Sequence, residues 1–266
     1  MKQTLILALL MFLAGAAHAA EQMRLAVTTS FHNSGLADIL LPEVLSDLDL
    51  EVQLLVVGTG QALRLGRAGD VDAILVHSRA AEEAFVAEGY GTHRREIMYN
   101  DFVLIGPSAD PASIAAADSA SDALQAIAAA QAVFVSRGDD SGTHKKELSL
   151  WDSADQDTGT FGPWYNAVGA GMGAALNTAS GLDAYVLSDR ASWLNFGNKG
   201  DLALLFAGDP VLFNQYAYLP VNPARHGHVR ADLAQKLEGW LTSDRAKSLI
   251  NGYAIDGETL FVFNAE

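Results

Sequence analysis

From residue 23 to residue 90 the apolar positions keep changing period, from about 2 residues to about 3.6 and back. That alternation leaves little freedom. A half-buried strand repeats every second residue and an amphipathic helix every 3.6, so the stretch reads as successive βα units. Strands are predicted at 23–29, 51–57 and 71–76, and helices at 36–48, 60–68 and 80–90, the last closed by Gly89 or Gly91. Repeated βα units close into a parallel sheet with helices on both faces, because the crossovers are right-handed.

The pattern is interrupted once. Residues 97–105 form an extended segment ended by Gly106-Pro107, and residues 108–130 are rich in Ala, Ser and Asp and predicted helical. Strands follow at 132–136, 184–187 and 202–206, and FNQYAYLPVNP beyond Pro210 is extended again. Two helices, 228–241 and 243–252, take up most of the rest. The reading is two α/β lobes, one made of residues 21–104 and 211–266, the other inserted as residues 105–210, with the two extended crossings as a hinge.

Residues 1–20 read as a leader. Met1-Lys2 gives the positive start, residues 5–14 are apolar but too short to span a bilayer, and Ala17-His18-Ala19 has the small-x-small form of a cleavage site. The chain is therefore expected in the periplasm. It contains no cysteine, so neither a lipid-anchored N-terminus nor a disulfide is expected. The net charge of −15 excludes nucleic acid as a partner, since that binding rests on basic patches. A small anion is not excluded. At physiological salt the screening length is about 8 Å, so a buried site answers to its own donors.

The predicted strands end in short polar runs that open helices: Thr28-Thr29-Ser30, Gly58-Thr59-Gly60-Gln61, His77-Ser78-Arg79, and Ser136-Arg137-Gly138-Asp139-Asp140-Ser141-Gly142-Thr143-His144. Ligands of open α/β sheets bind beyond the carboxyl ends of the strands, where helix starts offer unpaired N–H groups. Hydroxyls add neutral donors, and Arg137 supplies a guanidinium that stays charged and grips oxyanions through several donors. Taken singly these residues cap helices, and Arg137 has Asp139 or Asp140 at hand for a surface salt bridge. In combination they form a candidate oxyanion site. His77 and His144 are open between ligand and packing roles.

Other chemistries find little support. Gly58-Thr59-Gly60 lacks the third glycine of a dinucleotide fingerprint and the Gly-Lys-Ser/Thr of a P-loop. His226-x-His228 does not have the spacing of a zinc site, and no HExxH occurs. Asp139, Ser141 and His144 lie too close together for a usual hydrolase triad, and no G-x-S-x-G surrounds Ser141. No enzyme activity, metal or cofactor is expected.

AVTTSFHNSGLADILLPEV, VGTGQALRLGRAGDVDAILVHSRAAEEAFVAEGYG, YNDFVLIGP and above all FVSRGDDSGTHKKELSLW resemble the tungstate-binding proteins of ABC importers. WYNAVGAGMGAALNTASGLDAYVLSDRASWL and NQYAYLPVNP carry the likeness over nearly the whole mature chain. The resemblance implies the type II periplasmic-binding-protein fold, two Rossmann-like lobes joined by two crossing strands. It implies a monomer that binds tungstate between the lobes and delivers it to an inner-membrane ABC permease. Molybdate, phosphate and sulfate are alternative ligands, and a periplasmic anion sensor is the alternative role. The implied site is Thr29, Ser30, Arg137 and Thr143, with Thr59 implied by the related molybdate binders; Thr28 and Ser141, from the same polar runs, complete the candidate set. Val27 stands where the family usually has the first threonine of its triplet.

Overall fold

The computed structural model describes residues 20–265. The expected leader therefore lies, apart from Ala20, outside the described residues. In chain order the elements are β1 (Glu21–Thr28), α1 (Thr29–Asn33), α2 (Leu36–Leu48), β2 (Leu50–Val57), α3 (Thr59–Ala68), β3 (Ala73–Val76), α4 (Arg79–Ala87), β4 (Arg95–Pro107), α5 (Ala120–Ala130), β5 (Phe134–Ser136) and α6 (Gly142–Ser153). They continue with β6 (Tyr165–Ala167), α7 (Met172–Leu182), β7 (Tyr185–Asp189), α8 (Arg190–Asn195), β8 (Leu202–Phe206), β9 (Phe213–Pro220), α9 (Ala231–Leu241), α10 (Asp244–Gly252), β10 (Ala254–Ile255), β11 (Glu258–Thr259) and β12 (Val262–Phe263).

One strand belongs to two sheets. Through Asp101, β4 runs antiparallel to β9, in the order β2-β1-β3-β9-β4, with β12 also against β4. From Phe102 onward β4 pairs with β7 and β8, and the order continues β7-β5-β6. The partner changes between adjacent residues, Asp101↔Phe213 on one side and Phe102↔Asp189 on the other. The second passage is the short segment from β8 to β9, broken by a 3₁₀ turn at Pro210–Leu212. Only the passage along β4 is extended; the second, expected extended as well, turns at Pro210–Leu212 before β9 begins, and together the two make a two-lobed α/β protein.

Each sheet is buried on both faces, which explains the near-continuous apolar strands. Along β1 the alternate residues Met23, Leu25 and Val27 enter one core, while Ala26 enters another with Ile74 and Val76. In the second lobe Phe102, Leu104, Phe134 and Leu187 pack on one face, and Val103, Ile105, Val135 and Val186 on the other. Helix α3 lies tight on the sheet because Gly66 has no side chain: a Cβ there would come within 2.5 Å of Ile74 Cδ1.

The parallel strands are oriented so that their carboxyl ends meet between the lobes. Strands β1, β2 and β3 release the chain into α1, α3 and α4, and β5, β6 and β7 into α6, α7 and α8.

Most expected elements appear with bounds shifted by one to three residues. The strand predicted at 23–29 stops at Thr28, because the Thr28 hydroxyl accepts from Phe31 N–H and opens α1. Residues after Gly252, to which the sequence pattern assigns no element, fold back as β10, β11 and β12. Strands of two residues are too short to show a period.

Helix α6 is anchored by Trp151, fully buried among Phe134, Phe161, Trp164 and Tyr165. Trp151→Ala is expected to cost about 3–5 kcal/mol, the usual loss for a large buried aromatic. Urea unfolding of the two proteins measures it. A loss below 1 kcal/mol would mean that α6 is held by its other contacts.

Candidate anion site

On the first lobe the wall is built from strand ends. Thr28 caps α1, its Oγ1 accepting from Phe31 N–H at 3.2 Å, and lies 3.0 Å from Ser30 Oγ. Ser30 Oγ is 2.9 Å from His77 Nε2 at the end of β3 and 3.3 Å from the Tyr216 hydroxyl on β9. Thr28, Ser30 and His77 are buried, while Thr29 is partly exposed. Thr29 faces the other lobe: a Cβ on Gly171 would lie 3.8 Å from its Cγ2. Thr59, the first residue of α3, is wholly buried, and its Oγ1 has no hydrogen-bond partner among the described residues. Val27 is buried in the core with Leu25 and Leu75, so a side chain at this position faces inward, not into the cleft.

The second wall is the loop between β5 and α6. Arg137 is only 2% exposed. Its Nε donates to Ala170 O at 3.2 Å and its Nη2 to Asp139 Oδ2 at 2.5 Å. The partner foreseen from the sequence is thus real, but the pair is tucked between the lobes and is no surface salt bridge. Gly138, at φ +59°, permits the turn, and a Cβ there would come within 2.7 Å of Ala167. Ser141 caps α6, its Oγ accepting from His144 N–H at 3.0 Å. Thr143, in the first turn of α6, mirrors Thr59: fully buried, with Oγ1 unpartnered among the described residues.

These walls touch. Gly60 N–H donates across the cleft to Asp140 O at 2.9 Å. A Cβ on Gly60 would overlap the Asp140 carboxylate, and one on Gly142 would come within 2.6 Å of the His77 ring. Asp140 also pairs with Arg64 of α3 and with Lys145. Burial alone would raise its carboxyl, but those two cations outweigh it and hold it below the usual range. Both ion pairs are exposed, worth up to about 1 kcal/mol each.

Sequence reasoning left part of this site unseen. His77, open between two roles, stands inside the cluster. Burial and then the Arg137 charge push its imidazole down to about 3, so it is neutral. Asp189, at the end of β7, was missed, although Ser188-Asp189-Arg190 repeats the strand–polar–helix pattern of the other loops. It is fully buried and caps α8, Oδ1 accepting from Ser192 N–H at 2.8 Å. Its Oδ2, like Ser192 Oγ and Asn100 Nδ2, has no partner among the described residues. Burial raises the Asp189 carboxyl to about 6, against the opposing pull of Ser192 and Arg137. Tyr216 and Asn214 lie on the crossing strand β9, which gives no local sign of a site. His144 turns away: its Nδ1 lies 3.2 Å from Ser136 Oγ and 3.7 Å from Glu147 Oε2. It does not serve Ser141 as a base.

The arrangement offers hydroxyl donors from both lobes, two helix starts and one fixed guanidinium. A tetrahedral oxyanion needs donors from several directions and little else. Among the described residues no group of three or more His, Cys, Asp and Glu side chains is placed to hold a metal ion.

The PBP superfamily domain matches residues 14–245. The chain belongs to this superfamily. Within it, the tungstate-binding protein TupA of Peptoclostridium acidaminophilum is 44% identical over 91% of this chain and 85% of its own length. A putative ABC transporter anion-binding protein of Haloferax volcanii is 43% identical over 92% of this chain and 72% of its own. Among solved structures, that of the tungstate ABC transporter from Geobacter sulfurreducens superposes with a TM-score of 0.82. It has 47% identity and covers 88% of this chain and all of that one. The superfamily's two-lobed fold is the architecture described above.

The buried carboxyl gives a stability test. Asp189 binds its proton more tightly folded than unfolded, so its ionisation costs stability as pH rises from the unfolded value of 3.8 through the folded value of about 6. Asp189→Asn, which keeps the cap, is expected to raise the melting temperature at pH 8 more than at pH 4.5. Equal shifts at both pH values would place the carboxyl in contact with water.

Proposed function

We propose that this chain is the periplasmic substrate-binding component of an ABC importer, capturing tungstate between its lobes and delivering it to the membrane permease. The relatives from P. acidaminophilum and G. sulfurreducens, which are tungstate proteins, support the choice of anion. The leader at residues 1–20 supports the location. The protein acts as a monomer and as a binder without catalytic turnover. Lobe I takes residues 21–101 and 213–265 and lobe II residues 102–212, two to three residues from the expected bounds of 104/105 and 210/211, since the sheet partner of β4 changes between Asp101 and Phe102.

The observation that carries this reading is the pair of buried hydroxyls, Thr59 Oγ1 at the start of α3 and Thr143 Oγ1 in the first turn of α6, each unpartnered among the described residues and carried by opposite walls. A buried polar group without a partner costs about 1–3 kcal/mol, and two such hydroxyls on facing walls of one cleft are both satisfied by a ligand bound between them. The anion takes hydrogen bonds from Thr28, Thr29, Ser30 and Thr59 on lobe I and from Ser141 and Thr143 on lobe II. Thr28 and Ser141 accept from the backbone as caps; the Ser141 proton is left to donate, and one proton of the Thr28–Ser30 pair lies between the two hydroxyls. The two bonds that hold Arg137 to Ala170 and Asp139 fix the plane of its fork before the anion arrives.

Arg137→Ala is expected to weaken tungstate binding by about 2–5 kcal/mol, roughly thirtyfold or more, because the anion loses a buried guanidinium and Asp139 loses its ion-pair partner. Arg137→Lys recovers part of the loss, since the fork geometry is gone. Isothermal titration with sodium tungstate, then molybdate, sulfate and phosphate, measures this and ranks the anions. Unchanged affinity in a folded alanine variant would place Arg137 outside the site.

A ligand gripped by both lobes favours the closed form. Small-angle scattering is expected to show a smaller radius of gyration with tungstate than without. Gly60→Leu, which puts bulk where Asp140 closes, is expected to abolish that change. A radius that falls equally in the glycine and leucine proteins would show that closure brings other surfaces together.

A further inference from the structure

Two carboxylates stand close to an anion site that has one cation. Arg137 is already paired with Asp139, and Asp189 feels the Arg137 charge from β7. If all three groups are ionised their formal charges sum to minus one, and a bound dianion makes the sum minus three in a buried space. His77 offers no relief, being neutral. Charge of one sign concentrated in a water-poor site is costly, and the least costly correction is a proton on one of the carboxylates.

The geometry selects which one. Asp139 has both oxygens engaged, Oδ2 by Arg137 and Oδ1 by Ser141 N–H at 3.3 Å. Asp189 uses Oδ1 to cap α8 and leaves Oδ2 buried with no hydrogen bond of good geometry among the described residues, although the Ser192 hydroxyl lies close enough to pull on the carboxyl. An ionised oxygen in that position only repels an anion, whereas a protonated one donates to it. Asp189 sits where β4 passes between the lobes, opposite Phe102, at the end of a strand directed toward the cleft. Its neighbour Ser192 Oγ is also buried and unpartnered among the described residues.

We propose that Asp189 is a ligand-contacting residue that takes up a proton as the oxyanion binds and donates it from Oδ2 as a hydrogen bond, so that capture consumes one proton. The inference rests on the anion-binding reading above. No covalent bond to the anion forms; the proton comes from solvent and returns there on release.

Other titratable groups surround Asp189. Arg137 and Asp139 come from the β5–α6 loop and pair with each other. His77 follows β3, and Tyr216 on β9 keeps its phenol proton because burial and the nearby Asp189 charge raise it. Glu147 of α6 is held by Ser136 Oγ and the Tyr165 hydroxyl. Asp101 of β4 and Arg190 of α8 form a bidentate pair, with Glu258 on the outer side of Arg190.

The test is titration calorimetry of the full chain with sodium tungstate from pH 6 to 8.5, in two buffers of different ionisation heat. Tungstate is a dianion throughout, so the ligand contributes no slope. Between the free value of about 6 and the raised value in the complex, affinity is expected to fall by up to tenfold per pH unit, with uptake approaching one proton per anion. Asp189→Asn imitates the protonated acid and keeps the helix cap. It is expected to bind with a flat pH profile and no proton uptake, and to exceed the unaltered protein at pH 8. His77→Gln is expected to keep the slope. No proton uptake by the unaltered protein, or a slope that survives in Asp189→Asn and disappears in His77→Gln, overturns the inference. Absence of binding by tungstate, molybdate, sulfate and phosphate at every pH would instead overturn the anion-binding reading.

Discussion

A guanidinium with 2% of its surface in water has to be satisfied by protein, and the cleft is organised around that requirement. One carbonyl and one carboxylate hold Arg137 from the second lobe, through Ala170 and Asp139. The loop that carries it turns at Gly138, where only a glycine avoids Ala167, and ends in the Ser141 cap that starts α6. Moving the guanidinium would therefore mean moving the helix, and α6 is fixed by Trp151 in its aromatic nest. The charge reaches His77 on the first lobe, which it helps to keep neutral, and Asp189, whose raised proton affinity it opposes. Packing in one lobe thus sets the electrostatics of the other.

Closure depends on the lack of side chains as much as on attraction. Gly60 lets its own N–H approach Asp140 O, and Gly142 lets α6 come up against the His77 ring. The attractive contacts across the cleft mouth include a backbone hydrogen bond, an exposed ion pair between Arg64 and Asp140, and the bonds of Asn195 to Asn33 O and Ser34 O. Each is worth about 1 kcal/mol. Against them stand buried hydroxyls with no partner of their own. The balance between open and closed is therefore close enough for a small anion, bonded to both walls, to decide it.

How much of this could be read from the sequence follows from what leaves a local trace. The βα units were visible because helices and doubly buried strands impose a period on their own residues, and α2 and β8 have the expected bounds. Thr59 and Arg137 could be singled out because each follows directly on a strand and opens a polar run, a position that the fold class connects with ligands. Tyr216 and Asn214 could not. They stand in the middle of an extended segment, and their place beside Ser30 and Asn100 depends on pairings more than a hundred residues apart. The short strands after Gly252 depend likewise on β4, not on their own pattern. Asp189 had a local signal, the polar turn after a strand, but an acidic residue is easily passed over in a search for anion donors.

That acidic residue bears on the conflict between a chain of net charge −15 and a dianionic ligand. The global field opposes approach, and it is screened within about 8 Å at physiological salt. Affinity must then arise from contacts short enough to escape screening: hydroxyls, helix-start N–H groups and one guanidinium in a space with little water. A carboxyl that can exchange its charge for a proton fits this economy better than a second arginine would. Two fixed cations hold an anion tightly but also attract chloride and sulfate whenever the lobes part. A proton is taken up only where the arriving anion is close and its charge is buried, so the extra donor exists in the closed complex and is absent from the open cleft. Release to a partner then needs only that the lobes be drawn apart: water reaches Asp189, its proton leaves, and the restored negative charge repels the anion from the site that bound it.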